Sequence, residues 1–404
     1  MTFDLQSLVR PNIAKLEPYR CARDDFKEGI LLDANENTHG PALETVSSFE
    51  AALELNRYPD PHQIELKKQI IKFRNGQQNR YSSKDPAAQL VPENLCLGVG
   101  SDESIDLLLR CVCVPAKDKL LVCPPTYGMY SICAAVNDVE LVRVPLTTPD
   151  FQLDTQAILS AVTADPTIKL AYFTSPGNPT GKLLAVKDIL ELVREAQGKW
   201  NGLVVVDEAY IDFALEQDGS SPSMSTLVNE YPNLVVMQTL SKSFGLAGIR
   251  LGITYASKEL SRYLNAMKYP YNISSLTAAV AMRSTSPDAG LNVMQTYVQS
   301  ILHQRDTLLK SLQALEGVGR NLGGLDSNFI LVEILDKNGQ PSNDVAHKVY
   351  TKLAVENAVV VRFRGKEINC TGGLRISVGT EARTRCSWRN LPSVLKRPEM
   401  NDGL

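Results

Sequence analysis

Four segments bring together residue types that can do chemistry. TLSKSFGLAGIRLG (239–252) carries Ser241, Lys242, Ser243, three glycines and Arg250, and no acid. A lysine held among apolar residues beside another cation loses affinity for its proton, and the free amine is a nucleophile. VVVDEAY (204–210) ends a run of valines on Asp207, with Tyr210 three residues on. A carboxylate at the tip of a buried strand is costly unless a cation faces it. TSPGNPTG (174–181) stiffens a loop around Asn178, whose amide gives a directed hydrogen bond. In GVGSDESI (98–105), Gly98 and Gly100 allow a tight turn, and Ser101 and Asp102 can cap the helix that follows. A helix start is also an anion site. Taken singly, each segment has a plainer reading: a capped strand-to-helix turn, a Pro/Gly turn, an N-capping aspartate, an exposed loop lysine. The lysine segment lacks the GxxxxGKS/T spacing of a P-loop and is not one.

The surrounding pattern says what must position these groups. NLCLGVG (94–100), KLLVCPP (119–125), IKLAYFTSP (168–176), LVVVDEAY (203–210) and NLVVMQTLSKSF (233–244) are short apolar runs. Amphipathic stretches such as PDPHQIELKKQIIKF (59–73) and VKDILELVREA (186–196) lie before or between them. Continuous apolar runs suit strands buried on both faces, and their alternation with helices predicts an α/β fold with a mostly parallel sheet. Ligands in such sheets bind beyond the carboxyl ends of the strands, where all four loops fall. Residues 291–316 read as a long helix. DSNFILVEI (326–334), NDVAHKVYTKLAVEN (343–357), AVVVRF (358–363) and LRISVG (374–379) then predict a smaller α+β unit. The expected division is a polar, Pro-punctuated arm (1–30), a large domain with flanking helices (61–309), and a small domain from 31–60 with 310–404.

Composition excludes several classes. Forty-two basic residues against 45 acidic ones leave a net charge of -3, too balanced for a protein that lives on nucleic-acid backbone or anionic membrane. No run approaches the length of a membrane span, and the N-terminus has neither an apolar signal core nor the composition of a transit peptide. The eight cysteines form no CxxC pair and sit mostly in apolar runs, which reads as buried reduced thiols in a cytoplasmic protein. Four scattered histidines argue against a metal centre.

An amine, a carboxylate, a phenol, an amide and anion-binding loops together suit pyridoxal phosphate. That cofactor takes a lysine on its aldehyde, a carboxylate at its ring nitrogen, donors at its ring oxygen and a cradle for its phosphate. SPGNPTG, VVVDEAY and SKSFGLAGIRLG resemble the motifs of the fold-type I pyridoxal-phosphate aminotransferases, class II subgroup, in their order and spacing. LEPYRCARDD (16–25), LLDANEN (31–37), NRYPDPH (56–62), PPTYGMY (124–130), PYNISSL (270–276), VVVRFRG (359–365) and GGLRISVGT (372–380) extend the resemblance across about residues 1–380. These segments look most like fungal members acting on L-histidinol phosphate with 2-oxoglutarate in histidine biosynthesis.

The resemblance implies the following roles. Lys242 would carry the cofactor and move the proton between substrate and cofactor. Asp207 would face the ring nitrogen, Asn178 and Tyr210 would bond the ring oxygen, and Tyr127 would stack on the ring. Ser101, Asp102, Glu103, Ser241 and Arg250 would hold the cofactor phosphate, with Tyr58 supplied by the other subunit of a homodimer. Tyr19, Asn35, Arg362 and Arg375 would bind substrate. An aromatic amino acid aminotransferase, or another enzyme of the class acting on an amino-acid phosphate, is the alternative. After Gly379 the family continues into a Glu-rich helix, whereas TEARTRCSWRNLPSVLKRPEMNDGL is basic and Pro-broken, which bears on packing of the small domain rather than on the site.

Overall fold

The computed structural model describes residues 3–18, 47–83 and 85–385. A seven-stranded sheet is built from β1 (Leu95–Val99), β2 (Lys119–Val122), β3 (Glu140–Arg143), β4 (Ile168–Thr174), β5 (Leu203–Asp207), β6 (Leu234–Thr239) and β7 (Leu251–Tyr255). Its spatial order is β1-β7-β6-β5-β4-β2-β3. Strands β6, β5, β4, β2 and β3 pair in parallel, and β7 runs antiparallel to both of its neighbours. The sheet is therefore mostly parallel, as the apolar runs predict, with one reversed strand that they do not reveal. LGITY is short and interrupted by Gly252, so it carries little strand signal of its own.

Successive side chains on these strands enter two different cores. Val204 and Val206 pack on one face and Leu203 and Val205 on the other, and Ala171 and Phe173 are divided in the same way from Leu170 and Tyr172. All are essentially buried, and each aliphatic side chain so placed contributes about 1.5–3 kcal/mol. Near the N-terminus, α1 (Leu5–Leu8) and the turn after it bury Leu5, Leu8, Val9 and Ile13 in the second core.

Further helices are α2 (Ser48–Ala52), α3 (Ile64–Asn75), α4 (Gly100–Val112), α5 (Met129–Val136), α6 (Thr155–Ala164), α7 (Val186–Ala196), α8 (Lys258–Met267), α9 (Ser275–Ser284) and α10 (Gly290–Gln313). Helices α4, α5 and α8 bury residues in the core that contains α1, while α3, α6, α7 and α10 cover the opposite face. No helix among the described residues is long and apolar enough to cross a membrane.

A second sheet of four strands follows: β8 (Val318–Asn321), β9 (Phe329–Ile334), β10 (Arg362–Phe363) and β11 (Gly373–Ser377), in the order β10-β11-β9-β8. It is antiparallel throughout and packs its own apolar cluster against α11 (Asn343–Asn357) and α10. The AVVVRF segment is strand only over Arg362–Phe363. Ala358 instead ends α11 in a left-handed conformation with φ 52°, and Val359 returns its N–H to Leu353, so the first half of that run is consumed by a helix cap.

Candidate active site

The carboxyl ends of β1, β4, β5 and β6 lie along one edge of the large sheet. They present the four loops singled out from the sequence. Asp207 is the last residue of β5 and is buried. Its Oδ2 accepts from Tyr130 Oη at 2.7 Å and its Oδ1 from the Ala209 N–H at 3.2 Å. Tyr130 is fully buried and its hydroxyl also meets Thr174 Oγ1, on the end of β4, at 2.8 Å. No cation among the described residues forms an ion pair with Asp207, while Lys242 lies close enough to stabilise its charge. Burial holds its carboxyl above the usual range, against the Tyr130 bond. Sequence reasoning missed Tyr130 because it sits in an apolar helix and nothing in its spacing marks it.

Lys242 follows β6. Its Nζ lies 5.5 Å from the centre of the Tyr210 ring. Burial, then the like charge of Arg375, lower its amine from the usual lysine value, while Asp207 opposes them. Burial pushes the Tyr210 phenol up to about 12. The loops bearing these two residues are tied together below the surface. Ser243 donates to Asp212 Oδ2 at 2.6 Å, and Asp212 Oδ1 accepts from Arg74 of α3 at 2.6 Å in an almost wholly buried ion pair. Glu208, next to Asp207, receives bonds from the Met224 N–H, Ser223 and Gln238, at 2.6, 2.7 and 2.7 Å respectively.

At the start of α4 the arrangement differs from the sequence expectation. The helix begins at Gly100, and no Ser101 or Asp102 side chain caps it. Glu103 instead turns back to accept from the Val99 N–H and from Asn272 Nδ2, the latter at 3.2 Å. Asp102 accepts from Tyr127 Oη at 3.2 Å and faces Arg250 at 3.6 Å. With Ser101 and Asp102 not used as caps, the first-turn N–H groups remain for an external anion. Gly100 has φ +75°, and a Cβ on Gly252 of β7 would collide with the Gly100 backbone, so both glycines are required by a close approach of two backbones. Arg250 itself is left-handed, with φ 53°, and its carbonyl accepts from the Gly100 N–H at 3.2 Å. Ser241 Oγ accepts from Thr239 at 2.8 Å beside it.

The small sheet contributes from the other side. Arg375 on β11 donates to Asn178 Oδ1, and its guanidinium lies 5.2 Å from the Phe329 ring. Phe329 is edge-on to Tyr210 at 5.2 Å. Arg362 stands directly across from Arg375 on β10 and is exposed. Tyr58 is 53% exposed and stacks on Tyr271 at 4.6 Å. Tyr19 and Asn35 lie outside the described residues. The structure therefore brings Lys242, Asp207, Tyr210, Asn178 and Arg375 into one neighbourhood, with Ser101, Asp102, Tyr127, Ser241 and Arg250 at its anion-binding end.

Known proteins share this organisation. Residues 27–386 match the model of the family described as aminotransferase class I and II. A histidinol-phosphate aminotransferase of Candida maltosa is 66% identical over 97% of this chain and 98% of its own. That of Saccharomyces cerevisiae is 53% identical over 94% of each. The crystal structure of histidinol-phosphate aminotransferase from Sinorhizobium meliloti, in complex with pyridoxal-5'-phosphate, superposes with a TM-score of 0.71 at 22% identity and 90% coverage of both chains. At that identity the likeness speaks for the fold, while the fungal relatives speak for the family. The chain belongs to the class I and II aminotransferases and, within them, to the histidinol-phosphate aminotransferases.

Proposed function

We propose that this chain transfers the amino group of L-histidinol phosphate to 2-oxoglutarate with pyridoxal 5'-phosphate, giving imidazole-acetol phosphate and glutamate in histidine biosynthesis. The observation that carries the reading is the buried carboxylate of Asp207, fixed from one side by Tyr130, without an ion-paired cation among the described residues, and close to an amine whose proton is loosened. The residues present fit the cofactor. Asp207 can take a protonated ring nitrogen as its counter-ion, Lys242 is the nearby amine, and the start of α4, which no side chain caps, offers its first-turn N–H groups to a phosphate. When bound, pyridoxal phosphate supplies an electrophilic carbon for amino groups and a ring that withdraws electrons from the substrate's Cα.

The chain's own residues do the rest. Lys242 would hold the cofactor through Nζ and, as a free amine, would move the proton between the substrate's Cα and the cofactor. Burial and the like charge of Arg375 lower its proton affinity, which favours the free amine. Asp207 would hold the proton on the ring nitrogen. Asn178 and Tyr210 would bond the ring oxygen, and Tyr127 would cover the ring. The backbone of Ser101, Asp102 and Glu103, with Ser241 and Arg250, would bind the cofactor phosphate. Arg375 and Arg362 would take the anionic end of each substrate, and the sequence motifs alone assign Tyr19 and Asn35 to substrate binding. The protein acts as a homodimer in which Tyr58 reaches the cofactor phosphate of the second copy. It works in the cytoplasm, consistent with six buried, unpaired cysteines among the described residues. The assigned division is a large domain over 61–309 and a small one from 31–60 with 310–404, a reading that the two separate sheets among the described residues support.

Lys242→Ala tests the central assignment. Transamination of L-histidinol phosphate should fall at least about a thousandfold, and borohydride should no longer fix the cofactor to the chain. Turnover near the native rate in this variant would falsify the role of Lys242.

A further inference from the structure

We propose that Arg364 is a further substrate-binding residue, which with Arg375 and Arg362 forms a site for a phosphate monoester dianion and sets the enzyme's preference for that group over a carboxylate. The inference rests on the transamination reading above and adds to it the residue that discriminates between the two amino donors.

The strand geometry places the three side chains together. Arg362 is in register with Arg375, and the Arg364 N–H donates to the Gly373 carbonyl at 2.8 Å, which continues the ladder by one step. Alternation then puts Arg362, Arg364 and Arg375 on one face of the small sheet, while Phe363 between them turns to the other face, edge-on to His347 at 5.4 Å. The shared face is the one that carries Phe329 and meets Tyr210 and Asn178. Opposite Arg364 stands Gly373, with no side chain to cover the guanidinium stem.

Charge on this face is unbalanced. Among the described residues Arg364 has one acid partner, Glu367, at 3.4 Å. The other acid on the face, Glu333, is engaged by Arg320 at 3.0 Å. Among the described residues, the three guanidiniums thus have one ion-paired carboxylate between them, Glu367. Nε of Arg364 and Nε of Arg375 are both buried with no acceptor. Burial and then the like charge of Arg364 lower Arg375 from the usual arginine value, so the two side chains sense one another. Like charges directly across a strand pair destabilise the empty sheet and are relieved by an anion between them. A phosphate monoester carries close to two negative charges at neutral pH and three acceptor oxygens, whereas a carboxylate offers one charge and two oxygens.

The test compares amino donors on the cofactor-loaded enzyme. In Arg364→Gln, kcat/KM for L-histidinol phosphate should fall about 10- to 100-fold through KM, while that for glutamate changes about twofold or less. The inhibition constant of methyl phosphate, a probe that does not react, should rise by a similar factor, and Arg364→Lys should restore part of the loss. Unfolding temperature, measured in parallel, separates a damaged fold from a lost contact. An unchanged ratio between the two donors in Arg364→Gln, or equal losses on both, overturns the proposal while leaving transamination intact. A native enzyme that does not use L-histidinol phosphate at all removes the parent reading with it.

Discussion

The two ends of the proposed site, one assigned to cofactor and one to substrate, are made from different material. The cofactor end, at the edge of the large sheet, uses backbone N–H groups, glycines and short side chains whose positions are over-determined: Asp207 by Tyr130 and Ala209, Ser243 by Asp212, and the start of α4 by contact with β7. The substrate end uses long, partly exposed arginines on a separate sheet, where surplus positive charge rather than tight packing defines the place. A group that stays bound through every turnover suits a rigid frame. Two substrates that differ at their anionic ends suit side chains that can adjust, because a guanidinium binds either a phosphate or a carboxylate in bidentate fashion.

Substitutions should respect that division. Asp207→Asn keeps the shape but removes the charge facing the ring nitrogen, and kcat should drop about 100- to 10,000-fold with little change in substrate KM, as measured by steady-state kinetics. Arg375→Gln should do the reverse, raising KM for both substrates about 10- to 100-fold while the cofactor dissociation constant stays within about twofold. A loss of cofactor affinity of the same size would erase the distinction between the two ends.

Two further changes act inside the rigid frame. Gly252→Ala drives a methyl group into the Gly100 backbone and should cost about 1–3 kcal/mol of stability, seen in chemical unfolding, together with weaker binding of the cofactor phosphate. Glu208 leaves the chemistry untouched and supplies a pH signature. Burial pushes its carboxyl from an ordinary 4.5 up to about 7, against its hydrogen bonds. The folded chain therefore holds this proton more tightly than the unfolded chain, and the stability involved is present below pH 4.5 and lost as pH rises through about 7. Glu208→Gln, neutral at every pH, should flatten that loss, gaining up to about 3 kcal/mol on the native chain between pH 5 and 8 in parallel unfolding curves.

Much of this was legible in the chain itself. The parallel strands announce themselves because burial on both faces demands unbroken apolar runs, and VKDILELVREA and NDVAHKVYTKLAVEN are helices over the spans their periodicity suggests. Lys242, Asp207 and Asn178 stood out because lysine, aspartate and asparagine are rare directly beside such runs. Other features left no local trace. The reversed β7 is short and broken by glycine, and the helix cap at Ala358 depends on where α11 happens to end. Tyr130 looks like any other apolar residue of its helix until β4 and β5 bring Thr174 and Asp207 to its hydroxyl.

The order of residues along the chain determined the strands, the helices and the kinds of side chain waiting at their ends, because hydrophobic period and residue type are local properties. Only the tertiary structure decided which of those side chains share a charge environment: that Glu103 rather than Ser101 or Asp102 closes back on the start of α4, that Asp207 is bonded by a tyrosine 77 residues away, and that three arginines fall on one face. Electrostatic and hydrogen-bond energies depend on separation in space, and strand pairing sets that separation without regard to distance along the sequence.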